Sequence, residues 1–266
     1  KADSVDIYIT VQKPLKVASN GTLQGVLDKS HYKHTWHWKT SYPISPYNIN
    51  FTVGNFDVIS KRSVVLNDPI YIEYFVLPES IKGAGGLLEK AEKYLTFYTE
   101  FFGPYPWKKE KLGLVETPYW GMEHQTIIAY GNKYQNTSLG YDFLLFHEMG
   151  HEWWGNYLSV YDWKDFWIHE GFVTYSEALY IEKEFGLGAY HRFIKDRCKE
   201  NIKNYGPIVN EKPTKMDYFK DNDVYYKGAF VLHMLRYLLG DDLMKLSLKE
   251  FLRMPKSKAN NQTSTK

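Results

Sequence analysis

The sequence predicts an α+β protein: antiparallel strands first, then a small sheet and a helical body. Three observations carry this expectation. Apolar and polar residues alternate before residue 77, the apolar spacing changes to three and four after Pro78, and helical patterning runs from about residue 141 almost to the end of the 266 residues. The expected organisation is a β domain over 1–77, a second domain over 78–254, and a polar tail over 255–266 that is expected to be flexible.

Each element follows from its residues. Val5, Ile7, Ile9 and Val11 alternate with Asp6, Tyr8 and Thr10, the period of a half-buried strand. Further strand-like runs lie at His34 to Trp38, Ile49 to Val53 and Ile70 to Val76, with turn residues at Asn20-Gly21 and Asn67-Asp68-Pro69. The first strand starts almost at residue 1 and the strands are few, so the β region is expected to be the later part of a larger domain. Leu87, Leu88, Ala91, Tyr94, Leu95, Tyr98, Phe101 and Phe102 mark an amphipathic helix that ends at Gly103-Pro104. Short strands at 111–115 and 126–130 flank the segment 117–125. Helices are predicted over 141–156, 170–185, 189–204 and 224–239, with another near 241–253.

Composition narrows the function classes. With 33 Lys+Arg against 31 Asp+Glu, the net charge of +2 gives no reason to expect a nucleic-acid partner or an anionic membrane surface. No apolar run approaches the ~20 residues of a membrane span, and the first residues have no signal-peptide character, so the compartment stays open. Cys198 is the only cysteine, which excludes an intrachain disulfide. The unusual quantity is the 17% of aromatic residues, which points to a lined cleft in addition to a core.

Chemistry concentrates at Phe146-His147-Glu148-Met149-Gly150-His151-Glu152. Histidines at i and i+4 share one helical face and can reach one ion, with Glu148 beside them: the pattern H-E-x-x-H. A catalytic zinc site needs a third protein ligand and an open position for water. The metzincin solution would place glycine at position 154 and histidine at 157, where this chain has Trp154 and Tyr157. A carboxylate from the next helix is the other solution, and eighteen residues separate His151 from Glu170, room for a helix to end and another to return antiparallel. His169 and Glu177 compete for the role. His169 points about 100° away on the same helix and reads as packing or capping. Glu177, two turns along the Glu170 face, reads either as the acceptor that fixes a ligand histidine's tautomer or as a plain solvent-facing acid.

His147-Glu148-Met149-Gly150-His151, Trp153-Trp154-Gly155-Asn156 and Glu170-Gly171-Phe172 together resemble the gluzincin aminopeptidases, the family of aminopeptidase N and leukotriene hydrolase. The resemblance implies a thermolysin-like catalytic domain behind a partial N-terminal antiparallel β domain. It implies one Zn2+ held by His147, His151 and Glu170, with Glu148 as general base. His169 stands where the family usually has Asn. Tyr119-Trp120-Gly121-Met122-Glu123-His124-Gln125 resembles the family's G-x-M-E-N signature, which makes Gly121, Met122 and Glu123 the substrate-binding segment and Glu123 the partner of the free α-amine. Trp120 and His124 depart from it, which bears on the shape of the first-residue pocket. Tyr225-Tyr226-Lys227-Gly228 resembles Y-x-K-G, and counting back from Lys227 assigns the oxyanion donor to Tyr225.

The implied function is a zinc aminopeptidase acting on peptides with a free N-terminus. Two alternatives stand beside it: a gluzincin endopeptidase, and a catalytically weak peptide-binding fragment. Family members are longer, so the chain is expected to be a fragment. Tyr119, Trp120, Trp153, Trp154, Trp163, Trp167, Tyr225 and Tyr226 fall in or beside the site segments and are the expected cleft lining.

Overall fold

The computed structural model describes residues 1–209, 222–253 and 261–265. The chain forms two compact units, one of Lys1–Glu100 with Pro104–Glu152 and one of Phe101–Gly103 with Trp153–Lys266. An N-terminal antiparallel sheet region followed by a helical body is the α+β arrangement expected from the sequence.

The first unit contains strands β1 (Val5–Gln12), β2 (Lys16–Ser19), β3 (Thr22–Asp28), β4 (Lys33–Thr40), β5 (Phe51–Gly54), β6 (Asp57–Val65) and β7 (Asp68–Val76). Helix α1 (Ile81–Phe102), strands β8 (Leu112–Glu116), β9 (Gly121–Met122) and β10 (Ile128–Tyr130), and helix α2 (Phe143–Gly150) follow. β4 pairs antiparallel with β1 and β3, setting Ile7 opposite Trp38, and β2 pairs with β5. The larger sheet runs β6-β7-β8-β10-β9. Its β7–β8 pair is parallel, because α1 carries the chain back to the starting end between them. One sheet therefore holds strands from both sides of residue 77. Leu66 and Asn67, both at positive φ, close the β6–β7 hairpin in two residues, and Asp68-Pro69 already begins β7.

Val17, Ala18, Trp38, Phe56, Phe75, Val115 and Ile127 form the core under β1, β2 and β4. Lys111 is buried at its edge. Its ammonium lies 4.5 Å over the Trp38 ring and donates to the carbonyls of Ser19, at 2.8 Å, and Gly21, at 2.5 Å. Burial pushes this lysine down to about 8, and it raises the nearby Glu73 carboxyl.

The second unit holds β11 (Ser159–Val160), α3 (Trp167–Phe185), α4 (Leu187–Arg192), α5 (Asp223–Leu239), α6 (Asp241–Arg253) and β12 (Gln262–Thr263). The predicted helix over 189–204 is α4 continued by a π-helical turn to Cys198 and a 3-10 turn to Asn201. α3 and α5 cross at Gly171 and Gly228. A Cβ on Gly171 would come within 2.8 Å of the Gly228 Cα, so neither helix tolerates a side chain there. Arg236 ties α5 to α3 by donating from both terminal nitrogens to the Glu182 carboxylate, and from Nε to Asp241.

Two expectations are corrected here. Trp153, Trp154 and Trp167 are buried rather than lining a cleft: Trp153 Nε1 donates to Gly103 O, and Trp154 packs against Phe102, Phe172 and Phe251. Most of the tail expected to be flexible, 255–260 and 266, lies outside the described residues, but 261–265 is structured. Gln262–Thr263 pair in parallel with Ser159–Val160, because the Thr265 hydroxyl finds Asp165 Oδ1 and Trp167 Nε1 as partners. Among the described residues no helix is long and apolar enough to cross a membrane.

The helix crossing yields a paired prediction. Gly171→Ala forces backbone apart and should lower stability by about 1–3 kcal/mol. Gly85→Ala, on α1 with open space around it, should raise stability by about 0.5–1 kcal/mol. Urea unfolding of the two variants checks this; equal effects would contradict the tight crossing.

Candidate active site

Helix α2 is shorter than the predicted 141–156, ending at Gly150 with His151 as its C-cap. Its position is set by polar contacts at its start and along its length. Asp142 caps it by accepting from Leu145 N at 3.2 Å, and the same carboxylate accepts from the Tyr130 hydroxyl at 2.5 Å and Asn132 Nδ2 at 2.8 Å. Asp142 N donates to the Tyr94 hydroxyl, and the Tyr98 hydroxyl donates to Phe146 O. Strand β10 and helix α1 thus hold α2 from two directions, and every α2 residue from Leu144 to Gly150 is buried.

On this helix the Nε2 atoms of His147 and His151 lie 3.2 Å apart, and the Phe143 ring flanks His147. Two imidazole lone pairs at that distance repel unless a proton or a cation lies between them. Helix carbonyls at a C-terminus favour positive charge, and neutral imidazole is an established zinc donor. The donor set therefore fits a divalent transition metal.

Glu123 and Glu148 converge on the same place: a carboxylate oxygen from each and a ring nitrogen of His151 all lie within 4.8 Å of one another, and all three residues are buried. Gly121 makes this possible. A Cβ there would come within 2.7 Å of both Glu148 Oε1 and Leu144 Cδ1, so strand β9 can approach α2 only without a side chain at that position. Met122 sits opposite Ala129 of β10 and fixes the strand's register. Tyr119 and Trp120 are exposed; the Tyr119 phenol is raised by burial and then by the Glu148 charge, and Trp120 leans on Phe143.

In the second unit, Glu170 and Glu177 are buried on α3. His169 packs, as expected: its Nε2 accepts the Val160 N–H at 3.0 Å, which anchors β11 to α3. Tyr225 and Tyr226 both lie in the first turn of α5, but Arg197 stacks on Tyr226 at 5.0 Å. Lys227 donates to the carbonyls of Asn204 and Gly206, and Asp223 accepts from Lys203 N and Asn204 N, so the lysine of Y-x-K-G secures the chain before α5. Gly171 of Glu170-Gly171-Phe172 and Gly228 of Y-x-K-G are the two residues at the α3–α5 crossing.

Sequence reasoning passed over Asp142, Thr126 and Glu152. Asp142 carried a legible signal, an N-cap residue directly before an apolar run. Glu152, although it follows His151 directly, carried none.

A buried H-E-x-x-H helix beside an acidic loop, on a mixed sheet with a helical body, places the chain among the metallopeptidases. More particularly, residues 87–265 match the Peptidase family M1 domain, and the chain belongs to that family. It is 25% identical over 237 residues to endoplasmic reticulum aminopeptidase 1 of Mus musculus, covering 82% of this chain and 25% of that protein. Aminopeptidase N of Homo sapiens is 27% identical over 241 residues, 80% of this chain and 24% of that protein. Probable aminopeptidase 1 of Sulfurisphaera tokodaii is 23% identical over 265 residues, 92% of this chain and 33% of that protein. The chain thus spans a quarter to a third of these relatives. Among solved structures, the M1 zinc metallopeptidase from Deinococcus radiodurans has the same fold, with a TM-score of 0.80 at 21% identity over 98% of this chain and 58% of that one. A mutant of that enzyme bound to a Tyr-Ser-Ala substrate superposes with a TM-score of 0.74 at 21% identity, over 94% of this chain and 56% of that one.

His124 gives the site a pH signature. Burial lowers its imidazole from 6.5 to about 4. A depressed histidine contributes stability in full above the unfolded value of 6.5 and loses it as pH falls through about 4. Between pH 7 and pH 4 the wild type should therefore lose about 2–3 kcal/mol more than His124→Asn. Parallel urea-unfolding profiles for the two proteins would contradict a buried neutral imidazole.

Proposed function

We propose that the chain is a zinc aminopeptidase that removes the first residue from peptides with a free N-terminus. The observation that carries the reading is the convergence of Glu123 and Glu148 on the His147–His151 pair. Membership of the M1 family and the aminopeptidase relatives support it. In this reading His147, His151 and Glu170 hold one zinc ion. When bound, zinc supplies a Lewis acid that acidifies a water and polarises a carbonyl.

The chain's own residues carry the remaining steps. Glu148 removes the proton from the attacking water and returns it to the leaving amine as the peptide bond breaks. Gly121, by leaving space, keeps the Glu148 carboxylate close under β9. Glu123 pairs with the substrate's α-ammonium, and this charge-assisted bond fixes the scissile bond one residue from the terminus. Tyr225 donates a hydrogen bond to the developing oxyanion, a contribution of about 3–4 kcal/mol to the barrier in comparable sites. Of the two neighbouring tyrosines, Tyr226 is the one under the Arg197 guanidinium. Glu177 accepts the outer N–H of a ligand histidine and fixes its tautomer.

Glu148→Gln tests the reading. The variant should keep its zinc while kcat for amino-acid anilides falls about 10²- to 10⁴-fold. Retained activity would remove Glu148 as the base. Wild-type chain that cleaves N-acetylated peptides as readily as free ones would favour an endopeptidase.

A further inference from the structure

We infer that Glu152 is a positioning residue that locks the amine-anchoring loop to the histidine helix and so sets the one-residue register of cleavage. The inference rests on the aminopeptidase reading above and adds to it a residue that never meets the substrate.

The loop that carries Glu123 ends at Thr126, a buried β-branched residue at φ +59. A β-branched side chain holds that left-handed conformation only where its surroundings enforce it. Here they do so from two sides. Thr126 N donates to Glu152 Oε1 at 2.8 Å, and Gly21 N donates to Thr126 Oγ1 at 2.8 Å. The neighbouring Gln125 carbonyl accepts from Asn20 Nδ2 at 2.5 Å, while Asn20 also donates to Asn48 O and accepts from Asn50 N. Lys111 holds the same Asn20-Gly21 turn through the Ser19 and Gly21 carbonyls.

Glu152 itself is fully buried and cannot swing. Its Oε2 accepts from Trp107 Nε1 at 2.6 Å, and the Tyr105 hydroxyl lies 3.4 Å from Oε1. Covalently it is the next residue after His151, and through one hydrogen bond it reaches Thr126, three residues from Glu123. This is a short path from a histidine of the metal motif to the proposed amine anchor. In an aminopeptidase the separation of those two points must match a single residue, and a displacement of about 1 Å is enough to cost up to about 10²-fold. A fully buried carboxylate that accepts from Thr126 N on one oxygen and Trp107 Nε1 on the other provides the stiffness this requires.

The test compares two zinc-binding probes that differ only in the α-amine, leucine hydroxamic acid and 4-methylpentanohydroxamic acid, on the zinc-loaded chain. Wild type should bind the amino compound more tightly. In Glu152→Gln, whose amide cannot accept from both Thr126 N and Trp107 Nε1, that preference should shrink about tenfold, with the desamino affinity unchanged. In the metal-free protein, amide exchange over residues 124–127 should accelerate by a similar factor. Trp107→Phe removes only the Oε2 donor; it should show the same pattern more weakly, and it decides the matter if Glu152→Gln does not fold. Full preference in the variants, or equal losses for both probes, would overturn the inference. Absence of any preference in wild type would instead sink the aminopeptidase reading, and the inference with it.

Discussion

Two buried imidazoles one turn apart on α2, with Nε2 atoms 3.2 Å from each other, require a shared proton or a cation between them. Much of the first unit serves to hold that demand in place. A short helix of eight residues would not persist alone in water, so its existence depends on tertiary partners. Asp142 is the chief of these. Its backbone and side chain together engage Leu145, Tyr130, Asn132 and Tyr94, joining the helix to β10 and α1 at a single residue. Moving α2 would break the three bonds that tie Asp142 to Tyr130, Asn132 and Tyr94, and a buried carboxylate or amide left unpaired is costly.

Glycines in the site motifs act by leaving space. Gly121 lets β9 approach until Glu148 lies beneath it, and the Gly171–Gly228 pair lets two helices cross backbone to backbone. In the second unit this crossing also brings together the motifs that contain Glu170 and Tyr225. Charged motif residues divide between chemistry and construction. Lys227 holds backbone carbonyls, and His169 accepts a backbone amide, while Glu123 and Glu148 face the histidines.

Legibility of the fold followed the strength of local periodicity. Helices α3, α5 and α6 were readable because each has an apolar stripe and a clear stop, Gly186 and Gly240 among them. Strand β3 was not, because Thr22–Asp28 is almost wholly exposed and shows no alternation, and it exists through pairing with β4. α2 was read too long because Trp153 and Trp154 look like further helix, whereas they turn away into an aromatic core with Phe102 and Phe172. For the site, H-E-x-x-H and the Glu123 segment were legible because contiguous residues carry the chemistry. Glu152, Thr126 and Asn20 were not, since their meaning lies in contacts between residues 26 and 105 positions apart.

The central claim is that the two imidazoles of α2 share one ion, and zinc K-edge X-ray absorption of the metal-loaded chain tests it most directly. The account predicts stoichiometric zinc with two imidazole ligands, remaining donors of oxygen, no sulfur, and bond lengths of about 2.0–2.2 Å. A spectrum without imidazole scattering, or a chain that fails to retain zinc at all, would contradict it.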